Sequence, residues 1–147
     1  FLGKLTGQDL SERDPKAARD AFEAFKILTT RFPESKYTPD ALDRMRYIVN
    51  SLADSDVNTA RFYYRRGAFL AAVNRAQLAI TEYDRAPAIE EALYILYKSY
   101  DAIGMKDLSN DALRVLKLNY PNSKIVETGI RSTAEDKTPP WWQIWRK

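Results

Sequence analysis

Fifteen residues in the middle of the chain, RFYYRRGAFLAAVNR at positions 61–75, restrict the fold more than any other stretch. Small and large side chains fall there at set offsets, with Ala60 and Tyr63 before Gly67 and Phe69 and Ala72 after it. Each pair is three residues apart, the spacing that puts two side chains on one face of a helix. The pattern describes two helices packed closely through their small residues and joined by a tight turn. Gly67 supplies the positive φ or close approach that the turn needs. A helical hairpin accounts for Tyr63, Gly67, Phe69 and Ala72. It leaves Arg65, Arg66 and Arg75 unexplained, and these read as surface charges for a partner or as solvated ones.

The rest of the chain is punctuated in the same way. Residues 1–13, FLGKLTGQDLSER, have two glycines and no sustained period, and read as a loop or the remnant of an upstream repeat. Asp14-Pro15 is a helix start, Asp as N-cap and Pro at the first helical position. Ala18, Ala21, Phe22, Phe25, Leu28 and Phe32 then recur at helical spacing until Pro33. Thr38-Pro39 repeats that start chemistry. From there Leu42, Met45, Val49, Leu52, Val57, Ala60 and Tyr64 run without Gly or Pro to Gly67. Asp54-Ser55-Asp56 offers a capping triplet, but without a breaker one helix of about 28 residues, bent near Ala53, is expected against a mean of roughly 11–12. Phe69, Ala72, Val73, Ala76, Ile80 and Tyr83 mark the face of the next helix. Pro87 opens another, with Glu90 and Glu91 in its first turn and Ile89, Leu93, Leu96, Tyr97 and Tyr100 as its buried stripe. Gly104 ends it. Leu108, Ala112, Val115 and Leu116 build the last helix, stopped by Pro121.

Internal repetition supports a stack of such hairpins. Phe32-Pro33-Glu34-Ser35-Lys36 recurs as Tyr120-Pro121-Asn122-Ser123-Lys124, and Phe25 and Leu28 match Leu113 and Leu116. The offsets around Gly67 are those of the second half of a tetratricopeptide repeat. The expectation is an all-α, tetratricopeptide-like solenoid of right-handed helix pairs over residues 14–122, followed by a tail at 123–147. Counting back from Pro33, the helix before it is the second of a pair whose first member precedes residue 1. The chain opens on Phe1-Leu2-Gly3 with no methionine, so a fragment or a mature piece is expected.

Composition excludes several functions. The chain has no histidine and no cysteine, which removes thiol nucleophiles, histidine-based catalysis, the usual zinc sites and disulfides. The remaining route to hydrolysis, a carboxylate pair across a cleft, finds only Glu90-Glu91 and Asp54/Asp56, read as neighbours on exposed helical positions. No enzyme activity and no cofactor are expected. A net charge of +3 without a basic run argues against nucleic acid. Nothing approaches the roughly 18 apolar residues of a membrane-spanning helix. All three tryptophans, Trp141, Trp142 and Trp145, fall in the last seven residues, after Pro139-Pro140. Such a segment suits an anchor to a partner groove, to the solenoid itself or to a lipid interface.

Three stretches together resemble the BamD (ComL) family of outer-membrane assembly lipoproteins. They are YYRRGAFLAAVNR at 63–75, RFPESKY at 31–37 and PAIEEAL at 87–93. The resemblance covers residues from about 9 to 123, the C-terminal half of such a protein. It implies a periplasmic subunit of five helix pairs, anchored at the outer membrane through an acylated N-terminal cysteine lying upstream. Its N-terminal pairs are implied to meet nascent outer-membrane proteins. Its C-terminal pairs are implied to dock the last POTRA domain of BamA beside other lipoproteins of the machinery. The family's POTRA-docking arginine stands immediately before the turn glycine, which here is Arg66. Arg65, Tyr63, Tyr64, Asn74 and Arg75 belong to the same stretch. Asp84 departs from the pattern, where a proline usually closes the helix, and the tryptophan tail is no part of the resemblance.

Two readings compete with parts of this. Asn74 and Arg75 also suit a structural role, bonding to a neighbouring repeat. A cytoplasmic repeat adaptor that clamps a peptide's C-terminal carboxylate would draw its charges from Lys26, Arg44 and Arg61.

Overall fold

The computed structural model describes residues 15–130. Six helices follow in order: α1 (Pro15–Arg31), α2 (Thr38–Arg65), α3 (Phe69–Glu82), α4 (Ile89–Ala102), α5 (Lys106–Asn119) and the short α6 (Ile125–Thr128). Among the described residues there is no strand. Packing runs along the chain, α1 on α2, α2 on α3, α3 on α4 and α4 on α5, with α2 also reaching α4. This is the expected all-α stack of helical hairpins. Asp14, the proposed first N-cap, lies outside the described residues.

The connections within hairpins are glycine turns. At Gly67, φ +74°, the Gly67 N–H bonds to the Tyr64 carbonyl and the Ala68 N–H to the Tyr63 carbonyl. These two bonds make a Schellman motif, which satisfies carbonyls the helix end would leave orphaned. Gly104, φ +82°, repeats it, with its own N–H on Asp101 and that of Met105 on Tyr100. The connections between hairpins share a second pattern, set by an aromatic residue at the helix end. Phe32, Tyr83 and Tyr120 each donate to the carbonyl four residues back and accept from the N–H three residues ahead. Asp84 stands where Pro33 and Pro121 stand in the other two turns, and the turn is the same.

Thr38 does not cap its helix. Its hydroxyl donates to the Phe32 carbonyl at 2.7 Å, tying α2 to the end of α1, and Tyr37 at the cap position makes no side-chain cap bond. Likewise α4 begins at Ile89, two residues after Pro87. The long helix has the expected length and continuity: α2 has 28 residues and passes through Asp54-Ser55-Asp56 unbroken. The helices α3, α4 and α5 have 14 each. Accordingly Tyr83 follows Phe32 by 51 positions while Tyr120 follows Tyr83 by 37, and the difference is the added half of α2.

The core lies between the second half of α2 and helices α3–α5. Small residues bring the helices together: Ala53, Ala60, Ala72, Ala76, Ala79 and Ala92 are fully buried. Helix α4 buries Ile89, Leu93, Leu96 and Tyr100 of the expected stripe and adds Ala92, Tyr94, Ile95 and Ser99, while Tyr97 is only half-buried. Two residues assigned to the core of the last helix are not in it, Leu108 being 45% exposed and Val115 38%. Leu42 is also exposed, and Ala41 beside it is the buried residue. Residues 123–130 lie on α4 rather than apart from it, with Ile125 and Ile130 packed against the core.

Gly67→Ala is expected to lose about 1–2 kcal/mol in chemical denaturation, because an L-residue is strained at positive φ. The site is open, with nothing within 4 Å of an added Cβ, so the loss is conformational rather than steric. Gly67→Asn, which tolerates the left-handed region, should lose clearly less.

Candidate functional site

Because the Schellman turn places Arg66 at the C-cap of α2, its side chain projects from an exposed corner. The guanidinium carbon sits 3.5 Å from the centroid of the Phe62 ring, one turn earlier on the same helix. Phe62 in turn meets Tyr63 edge to face at 5.5 Å between centroids. A cation over an aromatic face gains about 0.5–1 kcal/mol at an exposed site, which holds Arg66 in place without neutralising it. On the inner side, Tyr64 packs edge to face on Phe69 at 6.0 Å and is half-buried. Burial pushes its phenol above the ordinary value, with a smaller contribution from Tyr94.

The other residues of the 61–75 stretch divide sharply by environment. Arg65 is half-buried and interacts within the chain. Arg61 is bound to Glu91 of α4 by two parallel bonds, Nε to Oε1 at 2.5 Å and Nη2 to Oε2 at 2.7 Å. Its Nη1 donates to Asn58 at 2.8 Å, and the side chains of the ion pair are only 19% and 20% exposed. Arg61 is therefore an internal latch between α2 and α4 and not a groove charge. Arg44 is likewise taken, by Asp40 at 2.7 Å, which leaves Lys26 alone of the three charges assigned to a carboxylate clamp.

Arg75 faces Asp56 of α2 at 3.7 Å. The contact lies within one hairpin rather than with a neighbouring repeat. Asp56 is largely buried, and desolvation raises its carboxyl above the ordinary 3.8, opposed first by Arg75, then reinforced by Glu82 and opposed by Arg19. Asn74, one residue before, is exposed and its amide makes no hydrogen bond among the described residues. Of the four acids taken for exposed neighbours, three are half-buried and engaged: Asp56 by Arg75, Glu91 by Arg61 and Glu90 by the hydroxyl of Ser123. Among the described residues, no cluster of acids is arranged to hold a metal ion. Trp141, Trp142 and Trp145 lie outside the described residues.

The corner thus joins Arg66 and Tyr63, with Tyr64 behind them and Asn74 at one edge. It also contains residues that sequence reasoning passed over. Phe62 is 45% exposed and Leu70 63%, Ile103 of the Gly104 turn is exposed beside Leu70, and Met105 of the same turn is exposed as well. The readable signal was the interval from Phe62 to Arg66, which is i to i+4 and stacks the two on one face. Leu70, Ile103 and Met105 carried no signal, because an apolar residue beside a glycine turn reads as core.

Hairpins closed by paired glycine turns and packed in sequence define a tetratricopeptide-like helical-repeat protein. A family model described as outer membrane lipoprotein (YfiO) matches residues 3–116, and the chain belongs to that family. It is similar to the outer membrane protein assembly factor BamD of Neisseria meningitidis serogroup A, 43% identical over 145 residues, 99% of this chain and 53% of that protein. The assembly factor BamD of Neisseria gonorrhoeae is 41% identical over the same shares. That of Vibrio cholerae is 37% identical over 119 residues, 81% of this chain and 49% of the relative. The chain spans about half the length of the curated relatives it matches.

Arg61→Met should destabilise the fold by about 2–3 kcal/mol, since it strands Glu91 in a partly desolvated site that still sees some water. Adding Glu91→Met should return most of that loss in urea denaturation. A second expectation concerns Asp56. Its folded pKa is raised, so the ionised form opposes folding at neutral pH, and the penalty disappears as pH falls through the folded value towards 3.8. Asp56→Asn should therefore melt higher than the native protein at neutral pH, with the difference shrinking to nothing below the ordinary carboxylate range.

Proposed function

We propose that this chain is part of a structural adaptor in the machinery that assembles outer-membrane β-barrel proteins, and that its Arg66 corner docks the last POTRA domain of BamA. Family membership and the printed role of the relatives as outer membrane protein assembly factors support the assembly role. The observation that carries the docking site is the cation over Phe62, an exposed guanidinium held ready at a corner while Arg61 and Arg75 are paired within the chain. A partner carboxylate can take such a guanidinium in a bidentate pair. Arg65, Tyr63, Tyr64, Asn74 and Arg75 then shape and support the corner, the tyrosines through packing and Arg75 through its contact with Asp56.

In this reading the protein works at the periplasmic face of the outer membrane, held by lipid on a cysteine outside these residues. Among the described residues no helix is long and apolar enough to cross a membrane. Other lipoproteins of the machinery are further partners, and nascent outer-membrane proteins meet the half of the relatives that this chain does not span. The tryptophans 141, 142 and 145 serve as an anchor to a partner or an interface. The clamp for peptide C-termini is the weaker reading, since two of its three cations are engaged.

Arg66→Glu should lower affinity for purified BamA POTRA domains by about tenfold or more, the loss typical of a central interface residue. Its helical circular dichroism should match the native protein. Native-like binding of this variant in titration calorimetry would remove Arg66 from the interface.

A further inference from the structure

The exposed apolar surface at the corner continues into a groove. Helices α3 and α5 each pack along α4, and between them lies an open trough of about 690 Å³ with Leu93, Leu96 and Tyr100 of α4 in its floor. Leu78 of α3 forms one wall, and Leu108 and Val115 of α5 form the other. All three wall residues are exposed, although helical spacing assigns Leu108 and Val115 to the core. A second hollow, about 560 Å³, sits at the Gly67 turn between Leu70 and Ile103. Asn74 lines both, and Gly67, the residue after Arg66, lines the second, so the groove runs up to the turn that carries Arg66.

The rows along the groove have helical periods. On α3, Leu70, Asn74 and Leu78 stand at i, i+4 and i+8. On α5, Leu108, Asp111 and Val115 stand at i, i+3 and i+7. Two helices flanking a third leave a channel that ridges from a fourth helix can fill. The polar lining is sparse: Asn74, Gln77, Thr81 and Asp111. Gln77 already donates to the Tyr100 hydroxyl at 2.8 Å, the Thr81 hydroxyl donates to the Gln77 carbonyl, and Asp111 accepts from Arg114. An extended segment laid here would bring a free N–H or C=O at every residue and find almost nothing to bond it. A helix satisfies its own backbone and presents only side chains.

We infer that the α3–α5 groove receives an amphipathic helix of the same partner that docks at Arg66, with an apolar stripe at i, i+3, i+4 and i+7 against Leu78, Leu108 and Val115. This rests on the docking reading above. The helix carries an acidic residue at the end nearest Arg66, for charge complementarity. A polar residue near its middle meets the Asn74 amide, which offers both a donor and an acceptor. Asn74 thus sets the register of the helix rather than the angle between repeats.

The test uses the whole chain and purified BamA POTRA domains. Leu78→Lys and Val115→Lys, both at exposed positions, should each weaken binding about tenfold or more with unchanged helicity. A photocrosslinking benzoylphenylalanine at position 78 should attach to a helix of the partner. If either lysine variant misfolds, the crosslink decides. Native affinity in both lysine variants, with binding lost only in Arg66→Glu, would overturn the groove and leave the corner standing. Attachment to a strand or loop of the partner, or no attachment, would overturn it too. Lost binding in the lysine variants beside native binding in Arg66→Glu would keep the groove and sink the corner.

Discussion

Burial of α4 on nearly all sides is the constraint from which the rest of the molecule follows. A helix that presents one stripe to a core has one neighbour or two, whereas α4 is packed by α2, α3, α5 and α6 at once. Its buried set therefore includes Tyr94, Ile95 and Ser99 as well as Ile89, Leu93, Leu96 and Tyr100. Close approach on so many sides requires small residues in the neighbours, and α3 supplies Ala72, Ala76 and Ala79 while α5 supplies Ser109 and Ala112. The Ser109 hydroxyl satisfies itself on the Tyr97 carbonyl at 3.1 Å, so a polar side chain can stand in that contact. In a stack where each hairpin touches only its neighbours, stability accumulates through such interfaces. Fixing α4 fixes the relation of the first hairpin to the last.

Hydrophobic contact does not set that relation by itself, since alanine faces slide easily past one another. The Arg61–Glu91 pair supplies the missing specificity. Two parallel bonds between planar groups have little tolerance for displacement, and the pair joins α2 directly to α4, skipping the intervening α3. Burial makes the geometry matter more, because a misaligned pair at this depth would leave both charges poorly solvated. The aromatic turns do the same for the chain direction. The N–H of Asp84 makes no backbone bond, and the proline at the matching position of the other two turns has none to make. That is why an aspartate replaces a proline there without altering the turn.

Much of this was legible beforehand, and what was not has a common cause. The five longer helices, the glycine turns and the unbroken 28-residue α2 follow from breakers and helical period, which are local properties, whereas the short α6 fell in a stretch read as tail. The capping role given to Thr38 failed because its hydroxyl bonds to Phe32, six residues back, a choice decided by the approach of α1 to α2. Leu108 and Val115 have the right spacing for a core, but spacing assigns a face without saying whether another helix covers it. Arginines were the hardest. Arg61, Arg66 and Arg75 look alike in sequence, yet one is a half-buried latch, one an exposed corner and one a partner for a partly desolvated aspartate. Only the elements packed opposite distinguish them.

That sorting bears on how a helical stack can present an arginine suited to binding. Binding loses affinity whenever a flexible side chain must be ordered, and an exposed arginine carries substantial rotamer freedom. Here the freedom is reduced before any partner arrives. The Schellman turn fixes the backbone of Arg66, the Phe62 ring gives its guanidinium a resting face, and Tyr63 braces that ring from the side. Each of these supports belongs to the same helix end that the core already requires for the turn at Gly67. The corner proposed for docking therefore needs no loop insertion and no strained residue. It is what remains at the surface once α2 has been stopped, capped and packed against α3.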